Sequence, residues 1–165
     1  MTGVALVLLA ATGVVATADW AAVLKSARRV EYAAKPAVMI GLIAVALAVH
    51  PLSSAERPFF VIALALGLAS DVFLMLPRAM FVAGPGGRAG RAPGLHRRFS
   101  AVFVVMVASA GGSGSLVALA GALLFFYSDA ILAWNRFVKP IPLGRIINIV
   151  PYHAGEALLV LSLVT

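Results

Sequence analysis

Cysteine is absent from this 165-residue chain, and charged residues make up only 12% of it. Without cysteine, the chain has neither disulfides nor thiolate ligands for a metal ion. Hydrophobic residues make up 62% of the chain, whereas soluble domains are roughly 45–50% apolar. So much apolar surface does not fit into one small core, and we therefore expect lipid to surround the protein.

Six apolar runs are long enough, or nearly so, to cross a bilayer, which takes about 20 residues. They cover residues 3–18, 34–49, 58–76, 99–110, 116–137 and 145–164, and the fourth is the weakest. Helices satisfy their own backbone hydrogen bonds in lipid. The sequence therefore predicts an all-α, polytopic transmembrane helix bundle of about six spans, with residues 1–165 forming a single integral membrane domain.

The basic residues are concentrated in alternate loops between these runs. Of the 13 Lys and Arg residues, only Arg57 falls in an even-numbered loop. This bias predicts that the three basic loops are cytoplasmic and that both termini lie outside. The net charge of +7 therefore indicates membrane topology rather than a nucleic-acid partner. Loop 77–98 contains a Gly/Pro/Arg tract, which we expect to lie as an irregular cationic loop against anionic headgroups.

Proline and glycine give further local expectations. Pro36 is expected in the first turn of the second helix, where its missing N–H matters little. Pro151 is expected to kink the last span. Gly67, Gly121 and Gly155 are expected to permit close helix packing.

Two of the apolar runs each contain one aspartate, Asp71 and Asp129. A charged side chain at bilayer depth is costly, so it usually faces the protein interior or a wet cavity and serves a function. At about 1.5 Å per residue, Asp71 lies roughly 8 Å and Asp129 roughly 12 Å from the basic side of the membrane. The third and fifth spans thus bring both carboxyls to the same half of the bilayer, which predicts one internal site.

Other polar residues fall in the same half, and each has a simpler alternative role. Lys35 is either a site residue or a cation that extends to the interface. Tyr152 is either a site residue or part of an aromatic belt. Glu156 is either protonated or paired with Lys35 or His153. His153 is also compatible with a position facing lipid or a neighbouring helix, and Asn135 with an interfacial one.

Two carboxyls that share an apolar site tend to differ in protonation, so that one donates a proton while the other is ionised. Such a pair suits peptide hydrolysis, a proton relay or the hydrolysis of an acid-labile lipid bond. General acid–base catalysis of this kind is worth about 10²–10⁴-fold in rate. No metal site is predicted, because the sequence has no HExxH motif.

Five short motifs together resemble one family. They are Lys35-Pro36, Ser70-Asp71-Val72-Phe73-Leu74, Ser128-Asp129-Ala130-Ile131-Leu132, Asn135-Arg136-Phe137 and Tyr152-His153-Ala154. Their order and spacing resemble the YhhN-type lysoplasmalogenases, which are polytopic membrane enzymes. These enzymes hydrolyse the vinyl ether bond of lysoplasmalogens to a fatty aldehyde and glycerophosphoethanolamine or glycerophosphocholine. The resemblance covers most of residues 1–80 and 99–165.

The resemblance implies roles for the candidate residues. One of Asp71 and Asp129 would protonate the vinyl ether carbon, and the other would stabilise the oxocarbenium ion and orient water. Lys35 would hold the lysophospholipid phosphate, and Tyr152 would orient an acid or the ether oxygen. Asn135 and Glu156 would complete the substrate-binding set, and no cofactor is implied. The expected location is the bacterial inner membrane.

The sequence departs from the family pattern in three places. The family usually has eight spans, whereas here the tract at 77–98 stands in place of two of them. The usual Gly-Asp pair is Ser70-Asp71, and Gly155-Glu156 replaces a usual Ala-Gln. Three alternatives therefore stay open: a non-catalytic lipid-binding member, a small proton-coupled transporter, and an intramembrane protease, although no Gly-x-Gly-Asp motif of the presenilin type is present.

Overall fold

A computed structural model describes residues 1–53, 55–75, 112 and 115–165 of the chain. Regular structure in this part is helical: α1 Gly3–Leu24, α2 Arg28–Ala48, α3 Glu56–Met75, α4 Leu116–Phe137, α5 Gly144–Leu161 and a final 3₁₀ turn Ser162–Val164. Four of these five α-helices are long and apolar enough to cross a membrane. The predicted helical membrane bundle is confirmed, whereas the fourth predicted span (99–110) and the loop 77–98 lie outside the described residues.

Helix α1 runs further than the first apolar run predicts, because its end is set by the backbone rather than by the first charge. Ser26 adopts a left-handed conformation with φ of 55°. The Ala27 N–H then bonds to the Ala22 carbonyl at 2.8 Å and the Ser26 N–H to the Val23 carbonyl at 3.2 Å. This is a Schellman-type ending, which satisfies the last carbonyls of a helix. Asp19 is therefore inside α1 rather than beyond it.

Helix α2 begins at Arg28, six residues before the predicted start. The expectation that Pro36 lies in the first turn is therefore wrong, because Pro36 is an interior residue of α2. The polar segment before Pro36 continues the helix on the basic side, and Pro36 removes only the one hydrogen bond that its own N–H would have made. Pro151 is likewise an interior residue, here of α5.

The core of the described bundle is built around α2, which packs against α1, α3 and α5. Its buried face includes Val38, Leu42 and Val45, spaced three or four residues apart as one side of a helix requires, with Met39 beside them. On the outward-facing sides of the bundle, large apolar side chains are exposed, among them Val7 on α1, Phe59 and Leu66 on α3 and Phe126 on α4. Lipid is the solvent that such an outer surface needs.

Contacts at the helix ends define two ends of the bundle. At one end the Thr2 hydroxyl donates to the Ala48 carbonyl at 3.0 Å, and the Leu52 N–H donates to the Leu163 carbonyl at 2.8 Å. At the other end Arg145 at the start of α5 pairs with Glu31 near the start of α2. Both chain termini therefore lie at the same end, and Lys25, Arg28 and Lys139 lie at the opposite one. Which end faces the cytoplasm stays a prediction.

Helices α4 and α5 approach closely at two glycines. A Cβ on Gly121 would lie 2.9 Å from the Gly155 carbonyl oxygen, and one on Gly155 would lie 2.8 Å from the Phe125 nitrogen. Backbone meets backbone here, so no side chain fits, as is common where membrane helices pack on small residues. At Gly67 a Cβ would lie 3.2 Å from the Met39 side chain. The close packing expected at these three glycines is confirmed.

Candidate functional site

The Asp71 carboxylate is the centre of a buried polar cluster. Lys35 Nζ on α2 lies 2.8 Å from Asp71 Oδ1. The Tyr152 hydroxyl on α5 donates a hydrogen bond of 2.8 Å to Asp71 Oδ2. Asp71 is only 3% exposed, so both oxygens have exchanged water for protein partners. Charge-assisted hydrogen bonds of this length are the stronger kind, and they hold the carboxylate in one orientation.

The Tyr152 ring is fixed from several sides. Lys35 Nζ lies 5.0 Å from the ring centroid, within the range of a cation–π contact. The Phe125 ring on α4 packs against Tyr152 with centroids 5.6 Å apart, and the Met39 sulfur lies 3.7 Å from the hydroxyl oxygen. The hydroxyl therefore meets Asp71 in a set position, and α2, α3, α4 and α5 all contribute to that placement.

Glu156 lies one turn beyond Tyr152 on α5 and is 4% exposed. It interacts with the Tyr152 hydroxyl and with the charges of Asp71 and Lys35. Its Oε1 would be 3.5 Å from a Cβ on Gly67, so the carboxyl packs against the α3 backbone. Oε2 has no hydrogen-bond partner among the residues that the structure describes. Glu156 thus belongs to the same cluster as Asp71.

Asp129 on α4 is the second predicted acid, and its surroundings are different. It is partly exposed and interacts electrostatically with Asp71 and Lys35. Within the described part of the chain it makes no hydrogen bond or ion pair. The preceding residue anchors its helix, because the Ser128 carbonyl accepts a 2.6 Å hydrogen bond from Asn148 Nδ2 on α5. Asp129 is therefore held beside the cluster, while its carboxyl is not bound within it.

Asn135 lies apart from these residues, in the last turn of α4. Its Oδ1 accepts a hydrogen bond of 2.8 Å from the Ile141 N–H, which closes the loop to α5. A Cβ on Gly144 would collide with the Asn135 amide, so only glycine fits opposite it. The described contacts of Asn135 are structural, and its role in substrate binding stays a prediction.

A second buried cluster lies between α1 and α5, and sequence reasoning missed half of it. Asp19 is 0% exposed and His153 is 3% exposed. Trp20 Nε1 donates a hydrogen bond of 3.1 Å to His153 Nδ1, and His153 Nε2 lies 4.0 Å from Asp19 Oδ2. His153 therefore contacts a neighbouring helix rather than lipid. Ending the first span at residue 18 hid Asp19, whereas a carboxylate that directly follows an apolar run was the available signal.

Comparisons with known proteins agree with the motifs. The sequence profile of the YhhN family matches residues 30–87 and 97–163, which is most of the chain. Lysoplasmalogenase TMEM86B of Mus musculus is 44% identical over 52 residues, covering 32% of this chain and 21% of that protein. Its counterpart in Homo sapiens is 43% identical over 42 residues, covering 26% of this chain and 19% of that protein. The matched segments thus span about a fifth of these relatives. No solved structure matches the chain.

Proposed function

Because the chain belongs to the YhhN family, we propose that it is a lysoplasmalogenase-like hydrolase that cleaves the vinyl ether bond of lysoplasmalogens. The products are a fatty aldehyde and a glycerophospho-alcohol. The observation that carries this proposal is the contrast between two neighbouring acids, one paired with a cation and a hydroxyl and the other without such partners in the described chain. A reaction that needs one proton donor and one fixed anion fits this contrast.

Asp71 takes the role of the fixed anion. Lys35 and Tyr152 both direct N–H or O–H groups at its carboxylate, and these charge-assisted bonds hold it in one orientation. When the vinyl ether is protonated at carbon, positive charge develops on the carbon and oxygen of the resulting oxocarbenium ion. An oriented carboxylate next to that charge stabilises the transition state, and preorganised electrostatics of this kind is usually the largest catalytic term.

Asp129 takes the role of the proton donor. It interacts with the charge of Asp71, and within the described chain it has no hydrogen bond or ion pair that would hold it as an anion. Its side chain is partly exposed on α4, so a substrate chain between the helices can reach it. The proton passes from the Asp129 carboxyl to the vinyl ether carbon, and water then adds to the cation. The hemiacetal collapses to aldehyde and alcohol, and no cofactor enters these steps.

Four further residues complete the proposed site. Lys35 has three N–H donors and lies towards the basic end of the bundle, so after pairing with Asp71 it keeps donors for the lysolipid phosphate. Tyr152 orients Asp71, and Glu156 belongs to the same cluster on α5. Asn135 contacts the headgroup at the basic end. The substrate is a lysophospholipid drawn from the surrounding membrane.

The same proposal includes an arrangement in the membrane. The chain acts as one integral domain, and the cationic tract at 77–98 replaces two spans of longer relatives. The basic end faces the cytoplasm of a bacterial cell and both termini lie outside, which follows from the bias of Lys and Arg between the spans.

The test is aldehyde release from a lysoplasmenyl lipid by the purified protein in detergent or vesicles. We expect Asp129→Asn and Asp71→Asn each to lower kcat by about 10²-fold or more, as loss of a general acid or an electrostatic partner does. Glu56→Gln is the matched control, because it makes the same chemical change in an exposed acid at the opposite end of α3. Wild-type rates in both aspartate variants would exclude these roles, and binding without cleavage by the wild type would indicate a non-catalytic member.

A further inference from the structure

The cluster of Asp19, Trp20 and His153 has no part in the reaction as described so far. Several of its polar atoms lack hydrogen-bond partners in the described chain, although they are buried. Both Asp19 carboxylate oxygens and His153 Nε2 lack a hydrogen-bond partner among the described residues. Leaving a buried polar group without a partner is destabilising, and three such atoms in one place indicate a bound group.

Trp20 determines which nitrogen of His153 carries the proton. An indole N–H only donates, so His153 Nδ1, which receives it at 3.1 Å, must be the acceptor. The neutral imidazole then carries its proton on Nε2. That N–H faces Asp19 Oδ2 across 4.0 Å, so a donor and an acceptor face each other across the gap.

The distance between His153 Nε2 and Asp19 Oδ2 indicates which ligand fits between them. At 4.0 Å the two atoms are too far apart for a direct hydrogen bond. One water molecule at ordinary hydrogen-bond distance from both atoms would span this gap, accepting from Nε2–H and donating to the carboxylate. We propose that Asp19 and His153 bind the water that adds to the oxocarbenium ion, an inference that rests on the function proposed above.

This water site lies next to the cluster around Asp71. His153 directly follows Tyr152, and their ring centroids are 5.6 Å apart. Asp19 interacts electrostatically with Asp71 and Lys35. The two clusters are therefore neighbours, and α5 contributes a side chain to each, Tyr152 to the anion and His153 to the water site.

The water step balances in atoms and protons. The water oxygen forms a bond to the cationic carbon while one of its O–H bonds breaks, and the Asp19 carboxylate takes that proton. His153 Nε2–H holds one lone pair of the water oxygen and leaves the other free for attack. The proton gained by Asp19 balances the one that Asp129 gave to carbon. Collapse of the hemiacetal then moves its hydroxyl proton to the departing glycerol oxygen.

The first test is kinetic. Asp19→Asn keeps the shape and can still hydrogen-bond to water, but it cannot accept a proton, so we expect kcat to fall about 10²-fold with KM nearly unchanged. Binding of a saturated alkyl ether lysolipid, which cannot be hydrolysed in this way, should be retained. Thr12→Val is the control on α1, because the Thr12 residue is buried and, among the residues that the structure describes, its hydroxyl bonds only to its own helix at the Leu8 carbonyl; it should keep the wild-type rate.

The second test reads His153 directly, without activity. The chain has 3 histidines, so His50→Gln with His96→Gln leaves His153 as the only source of imidazole ¹⁵N signals. We expect a neutral ring with one protonated nitrogen, assigned to Nε2, and Trp20→Phe should convert it to a mixture of tautomers. An imidazolium at neutral pH, or an Nδ1–H tautomer, would overturn the inference.

The outcomes separate the two proposals. An active wild type with an unimpaired Asp19→Asn variant overturns the water site and leaves the proposed function standing. A wild type that releases no aldehyde overturns the proposed function, and with it the catalytic role of this water.

Discussion

Asp71 and Asp19 are both carboxylates buried inside a membrane bundle, but the protein treats them in opposite ways. Asp71 on α3 has a cation and a hydroxyl at 2.8 Å, contributed by α2 and α5. Asp19 on α1 is still more deeply buried and has no hydrogen-bond partner among the described residues. The difference teaches that burial alone does not define the role of a carboxylate. Direct partners hold the charge in place, whereas carboxylate oxygens without hydrogen-bond partners can still bind a ligand or a proton.

The largest loss of stability is expected when Asp71 loses its cationic partner, Lys35. Lys35→Met keeps the length of the side chain but leaves the buried Asp71 carboxylate without its cation. Removing one member of a buried ion pair costs about 3–5 kcal/mol. We expect the free energy of unfolding, measured in detergent, to fall by that amount.

Asp19→Asn is the counterpart on the other side. It removes a charge that has no direct partner in the described chain, so we expect stability within about 1 kcal/mol of wild type, or above it. Equal losses in Lys35→Met and Asp19→Asn would show that the two carboxylates are held alike, contrary to this comparison.

A smaller loss is expected from Tyr152→Phe, which deletes only the hydroxyl that donates to Asp71 Oδ2. A hydrogen bond to a charged group contributes about 1.5–3 kcal/mol, and loss of orientation should also lower kcat. Tyr127→Phe provides the same chemical change at an exposed position on α4. If both variants had the free energy of unfolding and the kcat of the wild type, the Tyr152 hydroxyl would have no role in holding Asp71.

The contact between α4 and α5 sharpens the comparison further, because it brings Asp129 beside the helix that carries Tyr152 and His153. Gly155→Ala would place a Cβ 2.8 Å from backbone, and overpacking of this kind costs about 1–3 kcal/mol. Thermal unfolding and aldehyde release should both decline. Gly13→Ala is the control, since its Cβ would meet nothing within 4 Å; a decline of the same size there would remove the packing explanation.

The smallest effect is expected at the ion pair of Glu31 and Arg145. Their side chains are 23% and 45% exposed, and exposed pairs contribute about 0.2–1 kcal/mol. Glu31→Gln should therefore lower stability slightly, and the loss should shrink as salt is raised. A loss of stability as large as that of Lys35→Met would mean that exposure does not explain the difference in strength between the two ion pairs.

Much of the fold followed from apolar patterning. The fifth predicted span, 116–137, coincides with α4, and the sixth closely matches α5 and its 3₁₀ turn. The misses were local. Pro36 was expected in the first turn of a helix beginning at residue 34, but the helix begins six residues earlier, at Arg28, because polar residues extend a membrane helix beyond its apolar stretch.

The site shows where such prediction stops. Lys35, Asp71, Tyr152 and Glu156 were chosen for their depth along separate spans, and the structure brings these four together. Depth says nothing about rotation about a helix axis. The packed helices were therefore needed to show that Asp71 pairs with both Lys35 and Tyr152, and that Asp129 lacks such partners in the described chain. Asp19 was missed because the end of its helix is set by the backbone turn at Ser26.

The sequence by itself determined that the chain spans a membrane as helices, which residues are too polar for lipid, and to which family it belongs. These are properties of composition and order along the chain, where transfer from water to lipid dominates. Only the tertiary structure decided which polar groups meet. That choice depends on how α2, α3 and α5 are rotated against each other, and on close approaches such as Gly121 to Gly155 that no single helix encodes.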